Sequence, residues 1–258
     1  MHLDVPFIDV LLEIPTVSSG SSGLKFVGVS SVVVTCFAVA GVSNAFNLID
    51  GYNGLAGVVA VIILLGLAYI ADLVGDRVIM VGALTMVGAI VGFLIWNYPN
   101  GHIFLGDAGA YLIGFAVAEL SVLLVARNPV VSPWFPFLLS FYPIFETLFT
   151  IFRRRVVSKK SPGMPDAAHL HQLIYRRLVR WAVGSSVVYD QTLRNALTAP
   201  YLWVLSSLAV IPAILFWKNT LALSVSTVLF AFIYSYFYWR IIRRKFPNWW
   251  AIKRKAKL

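Results

Sequence analysis

The stretch Asn44-Ala45-Phe46-Asn47-Leu48-Ile49-Asp50-Gly51-Tyr52-Asn53-Gly54-Leu55-Ala56-Gly57 joins two long apolar runs. It places three asparagines, an aspartate and three glycines at a join where a plain turn between two spans needs none of them. At helical spacing Asn44, Asn47 and Asp50 fall within about a third of the helix circumference, so their polar groups can converge on one point. Gly51 and Gly54 permit backbone conformations that end a helix and let a ligand approach closely.

The rest of the chain says what those runs are. With 258 residues, 59% hydrophobic content and only 12% charged residues, it is too apolar for a soluble domain of this size. The expected fold class is all-α, a polytopic integral membrane helix bundle. Seven spans are expected near 26–48, 54–74, 78–96, 108–126, 131–152, 199–217 and 219–239, each of about 20 residues and helical because lipid offers the backbone no other partner. The span at 131–152 contains Pro133, Pro136 and Pro143, which predicts a kink or a late start. Ahead of the spans, residues 1–25 read as an outer-face interfacial segment and a Ser/Gly-rich loop. The acidic residues Asp4, Asp9 and Glu13 and the lack of a basic leader argue against a cleavable signal peptide there. The single cysteine, Cys36, excludes an internal disulfide and a cysteine metal cluster.

The net charge of +10 first suggests nucleic acid, but the basic residues concentrate around 153–194 and 240–257. Alternating seven spans with a cytoplasmic tail puts the joins 49–53, 97–107 and 153–198 on the inside, together with the tail at 240–258. Of the 21 Lys and Arg residues only Lys25, Arg77, Arg127 and Lys218 then stay outside. That is the positive-inside pattern, and no nucleic-acid partner is needed to explain the charge. All the polar clusters land on the same face.

The second cluster is Asn97-Tyr98-Pro99-Asn100-Gly101-His102-Ile103-Phe104-Leu105-Gly106-Asp107-Ala108-Gly109. Asp107 sits at the mouth of the next span, where helix-end N–H groups suit phosphate and a carboxylate suits Mg²⁺ shared with phosphate oxygens. A plain N-cap is the alternative reading. The third is Ser161-Pro162-Gly163-Met164-Pro165-Asp166-Ala167-Ala168-His169-Leu170-His171-Gln172-Leu173-Ile174-Tyr175-Arg176-Arg177. His169 and His171, at i and i+2, need an extended or loop conformation to aim both rings together, and with nearby arginines they can grip a diphosphate through charge-assisted hydrogen bonds. Two histidines without a cysteine make a weak zinc site. Glu146 interrupts an apolar run; it is either functional or the partner of a basic side chain such as Arg153.

Asn-x-x-Asn-x-x-Asp-Gly-x-Asn-Gly-Leu-Ala and Phe-Leu-Gly-Asp-Ala-Gly resemble signatures of the polyprenyl-phosphate N-acetylhexosamine-1-phosphate transferases. The resemblance spans roughly residues 26–245. It implies transfer of a sugar-1-phosphate from a UDP-sugar to undecaprenyl phosphate with release of UMP, at the start of O-antigen or another cell-envelope polysaccharide. It also implies a multi-pass protein of the bacterial inner membrane, in contact with membrane lipid, with its active site facing the cytoplasm; a homo-oligomer is compatible with such a bundle. By analogy Asp107 and Asp50 are the catalytic carboxylates and hold Mg²⁺, Asn44, Asn47 and Asn53 shape the uridine pocket, and His169 and His171 contact the diphosphate. The sequence departs from the family at Ala167, where an Arg is usual, and at Gln172, often a third His. The family's Asp-Asp pair upstream of the Asn-x-x-Asn motif is missing too, so Met1 is expected to be an internal methionine of a longer protein. The rival readings are a non-catalytic truncated homologue or subunit and, more remotely, a transporter of lipid or nucleotide-sugar.

Overall fold

The computed structural model describes residues 29–157, 169–179 and 188–243. The segment expected at 1–25, most of the tail and part of the third cluster lie outside these. The described residues form helices α1 (Val29–Ile49), α2 (Leu55–Leu73), α3 (Arg77–Asn97), α4 (Gly106–Arg127), α5 (Trp134–Leu139), α6 (Phe141–Phe152), α7 (Leu170–Leu173), α8 (Val188–Leu215) and α9 (Thr220–Ile242), with π-helical turns at Arg153–Val157 and Ile174–Val179. No strand occurs among them. The protein is an all-α integral membrane protein.

Among the described residues six helices are long and apolar enough to cross a membrane: α1, α2, α3, α4, α8 and α9. The seventh expected span, 131–152, is instead two short helices, α5 and α6, meeting at Ser140. Pro143 explains the break, since it has no N–H to bond the Leu139 carbonyl and is tolerated only in the first turn of α6. A second boundary also differs. Residues 188–198, expected in a loop, are the first three turns of α8, because Gln191, Arg194 and Asn195 mark where the apolar run ends and not where the helix does.

Helix α2 runs through the middle of the bundle. Val59, Ile63, Leu64, Leu67 and Ile70 are fully buried, at the i, i+4 and i+3 spacings that face neighbours on more than one side. The surrounding helices turn large apolar side chains outward, among them Phe37, Val78, Ile95, Leu221 and Phe232, as lipid-facing surfaces do. In such a bundle helices associate through close packing at small residues. Gly114 is the tightest case: a Cβ there would lie 2.6 Å from Ser43 Cα and 3.0 Å from the Val42 carbonyl oxygen. This approach of α4 to α1 sets Asn47 beside Asp107.

The end of the bundle away from those two residues is closed by an ion pair. Asp76 caps α3 by accepting from Ile79 N at 3.3 Å. Arg127 at the end of α4 donates through Nε to Asp76 Oδ2 at 2.7 Å, and Asn128 donates to the same oxygen at 3.1 Å. The Arg127 hydrogen bond holds the Asp76 carboxyl below the usual carboxylate range. Ser132 N donates to the Trp217 carbonyl at 3.1 Å, tying the start of α5 to the α8–α9 turn.

Candidate active site

The glycine-rich join after α1 is held by side-chain amides. Gly54 has φ of +73°, a left-handed conformation that strains any residue with a side chain, and a Cβ there would meet the Tyr98 ring at 2.7 Å. Its N–H donates to Asn97 Oδ1 at 2.7 Å, while Asn97 Nδ2 donates to the Ile103 carbonyl at 2.8 Å. Trp203 Nε1 on α8 donates to the Gly54 carbonyl at 3.2 Å. Next to it Asn53 donates from Nδ2 to the Pro99 carbonyl at 3.0 Å, and its backbone N–H reaches Asn195 Oδ1 at 2.7 Å. The joins after α1 and α3 and the first turns of α8 therefore meet at one end of the bundle, as the alternation of spans requires.

Between them lies a cleft of about 210 Å³. Its walls include Asn47, Asp50, Tyr52, Asn53, Asn97, Phe104, Gly106, Asp107 and Asn195. Asp107 stands in the first turn of α4, and Asn47 Nδ2 donates to its Oδ1 at 2.9 Å. Burial, and then the nearby Asp107 charge, push the Asp50 carboxyl up to about 6. Among the described residues, the charged side chains lining the cleft are these two carboxylates. Asn47, Asp50, Asn53 and Asp107 are thus brought together. Asn44 is exposed on α1 and lies outside the cleft lining.

The two carboxylates and the Asn47 amide oxygen form a set of hard oxygen donors. Such a set fits Mg²⁺, which commonly takes one or two protein carboxylates and completes its shell with water and phosphate oxygens. Among the described residues no three His, Cys, Asp or Glu side chains converge as a full protein cage would.

The histidines stand beside the cleft. His169 is extended (φ −65°, ψ 151°) and His171 lies in α7, so their rings stack parallel with centroids 5.3 Å apart. Glu146 reaches them from α6. It accepts from Leu170 N at 3.1 Å, meets His169 Nδ1 at 3.2 Å and is bonded by the Tyr234 hydroxyl of α9. Thr150 Oγ1 also meets His169 Nδ1 at 3.2 Å. Glu146 thus anchors the histidine segment to α6 and α9. Any contact of His169 with a diphosphate must then run through Nε2. His171 is buried edge-on to Tyr52, with centroids 5.5 Å apart. Burial pushes its ring down to about 4, with the Glu146 charge opposing and His169 adding to the fall. A neutral ring gives no charge-assisted grip, and His171 does not line the cleft.

Sequence reasoning passed over three lining residues. Asn97 lay inside a quoted cluster without a role, and its place before Tyr98-Pro99 at the end of an apolar run was the available signal. Tyr52 sat unremarked in the first motif. Asn195 belongs to no motif, and nothing in the sequence pointed to it.

Residues 5–125 match glycosyl transferase family 4. The matched region contains Asn44, Asn47, Asp50, Asn53 and Asp107; Glu146, His169, His171 and Asn195 lie beyond it. A probable undecaprenyl-phosphate N-acetylglucosaminyl 1-phosphate transferase of Bacillus subtilis is 34% identical over 139 residues, 54% of this chain and 38% of that protein. An undecaprenyl-phosphate alpha-N-acetylglucosaminyl 1-phosphate transferase of Thermotoga maritima is 34% identical over 141 residues, 55% of this chain and 42% of its own length. A phospho-N-acetylmuramoyl-pentapeptide-transferase of Lactobacillus johnsonii is 33% identical over 165 residues, 59% of this chain and 49% of its own length. The chain thus matches less than half the length of each of these relatives. The resemblance to polyprenyl-phosphate sugar-1-phosphate transferases holds at that partial coverage.

Proposed function

We propose that the chain carries the active cleft of a glycosyl-1-phosphate transferase of cell-envelope synthesis. It transfers an N-acetylhexosamine-1-phosphate from a UDP-sugar to undecaprenyl phosphate, releasing UMP and leaving a lipid-linked diphosphate sugar. The observation that carries this reading is the pairing of Asp107 with Asn47 beside Asp50, in a cleft that the described residues line with two carboxylates and no cationic side chain. Two phosphate-bearing substrates do not approach two carboxylates unless a cation lies between them.

Asp107 and Asp50 would hold Mg²⁺, which when bound offsets the repulsion of the two polyanions and stabilises the charge on the transferring phosphoryl group. Asn47 fixes the Asp107 carboxylate in place. Asn53, tied to Pro99, shapes the nucleotide side of the cleft, whereas Asn44 can act only on what lies outside the present lining. Glu146 orients His169 and keeps the histidine segment against the bundle, so that His169 Nε2 is left for the diphosphate and His171 backs Tyr52. The cleft lies at one end of the bundle, which lets a water-soluble nucleotide-sugar meet a phosphate carried on a lipid. We place that end on the cytoplasmic side of a bacterial inner membrane, an orientation that the concentration of Lys and Arg at the same joins supports. Envelope polysaccharides such as O-antigen are the class of product, and the wording of the Bacillus and Thermotoga relatives favours GlcNAc as the sugar.

The test is exchange of labelled UMP into UDP-GlcNAc by the purified chain in detergent with undecaprenyl phosphate and Mg²⁺. Exchange that needs both additions supports the transferase. A well-folded chain with no exchange would favour the subunit reading, since neither an inert subunit nor a transporter makes or breaks the phosphate bond.

A further inference from the structure

Four asparagines line the cleft, and their hydrogen bonds divide them into two kinds. Asn97 uses both ends of its amide, accepting from Gly54 N and donating to the Ile103 carbonyl. Asn47 and Asn53 spend their amide nitrogens on Asp107 and on the Pro99 carbonyl. Asn195 differs. Its partner is the backbone N–H of Asn53, at 2.7 Å. An N–H can only donate, so the atom it meets must be the Asn195 oxygen, and the amide orientation is fixed by chemistry. The Asn195 NH₂ group is then left with two donors and no partner among the described residues, on the wall of the cleft.

We infer that Asn195 is a substrate-recognition residue of this cleft, donating from Nδ2 to a neutral carbonyl oxygen of the nucleotide-sugar. The inference rests on the proposed transferase reading. A carbonyl suits this position better than a phosphate oxygen, because Asn195 is tied to the Asn53 backbone and the described lining offers no cationic side chain to hold a phosphate beside it. The cleft's two carboxylates would repel a phosphate that no metal accompanies. A nucleotide-sugar with an acetamido group offers such a carbonyl at the uracil C4 position, where cytosine carries an amino group instead, and in the acetamido group, which UDP-glucose lacks.

Specificity ratios test this, because paired ligands of equal charge cancel any general loss of affinity. Binding of UMP and CMP, and of UDP-GlcNAc and UDP-glucose, is measured on the full chain in detergent with Mg²⁺, for the parent and for Asn195→Ala and Asn195→Asp. The Asp variant keeps an acceptor for Asn53 N and loses the donors, so it separates recognition from support of the loop. A site built to donate to a carbonyl discriminates strongly against the analogue lacking it. The parent should therefore prefer UMP or UDP-GlcNAc over its analogue, and that preference should fall by about tenfold in both variants, the worth of roughly one hydrogen bond. Collapse of the UMP preference assigns Asn195 to the uracil, and collapse of the UDP-GlcNAc preference assigns it to the acetamido group. Unchanged ratios in both variants, or a parent that binds nucleotides without either preference, would overturn the inference. A parent that binds no nucleotide would overturn the transferase reading itself.

Discussion

The two ends of the bundle treat their carboxylates in opposite ways. At one end Asp76 is matched by Arg127 and Asn128 and caps a helix, with every acceptor position used locally. At the other Asp50 and Asp107 line one cleft, with the neutral Asn47 amide bonded to Asp107, and burial followed by the Asp107 charge pushes Asp50 up to about 6. A carboxylate that serves the fold finds its counter-charge within the fold. One that is left with a like-charged neighbour costs stability and persists where something else supplies the cation. The contrast sets an acid that serves the fold apart from the two proposed to hold a cation, without reference to any relative.

Substitutions can break or sharpen this contrast. The largest effect on stability is expected from Glu146→Ala, which leaves His169, Leu170 N and the Tyr234 hydroxyl without their common buried acceptor. Thermal unfolding in detergent should show a loss of about 3 kcal/mol, the scale on which removing one partner of a buried charged network is felt. Gly114→Ala comes next. Its methyl would press on the α1 backbone at Ser43, and overpacking of this kind costs about 1–3 kcal/mol. Because α1 carries Asn47 and leads directly into Asp50, nucleotide affinity should fall with it, which a substitution at the Asp76 end would not cause.

A third test uses pH. His171 is held down to about 4 by burial against an ordinary value of 6.5. Between those values the unfolded chain binds a proton that the folded chain refuses, so stability falls as the pH drops through 6.5 and levels off near 4. His171→Gln should flatten that part of the stability curve; an unaltered slope would mean that the ring is not buried as described. The smallest effect is expected at Asp76. Its carboxyl is held below the ordinary 3.8, so its contribution is complete above that value and lost as the pH falls through the lower folded value. Since Arg127 is half exposed, solvent weakens the pair. Asp76→Asn should therefore lower the unfolding temperature only slightly at neutral pH and not at all in strong acid.

Much of this contrast was legible in the sequence. Apolar runs located the six long helices to within a few residues, except at α8, and alternation of spans brought the motif-bearing joins to one end. What escaped has physical causes. Proline content signalled trouble at 131–152 but could not distinguish a kink from the break at Ser140, which depends on where the lost Pro143 N–H falls in the turn. Hydropathy stops reporting when a helix leaves the apolar layer, so the first turns of α8 were read as loop and Asn195 was missed with them. Glu146 was visible as an ionisable residue in an apolar run, yet its partner Tyr234 is 88 positions away, and no local pattern encodes such a contact. Asn44 shows the opposite error, since helical spacing aligned it with Asn47 and Asp50 but could not say where the cleft wall ends.

The most direct measurement compares Asp107→Asn with Asp76→Asn at equal amounts of folded protein, following Mg²⁺-dependent transfer of sugar-1-phosphate to undecaprenyl phosphate. Asp107→Asn should lose at least about a hundredfold in turnover, the scale of removing one group that stabilises transition-state charge, and should unfold no earlier than the parent. Asp76→Asn should keep its turnover per folded molecule. Full Mg²⁺-dependent turnover in Asp107→Asn would contradict the account.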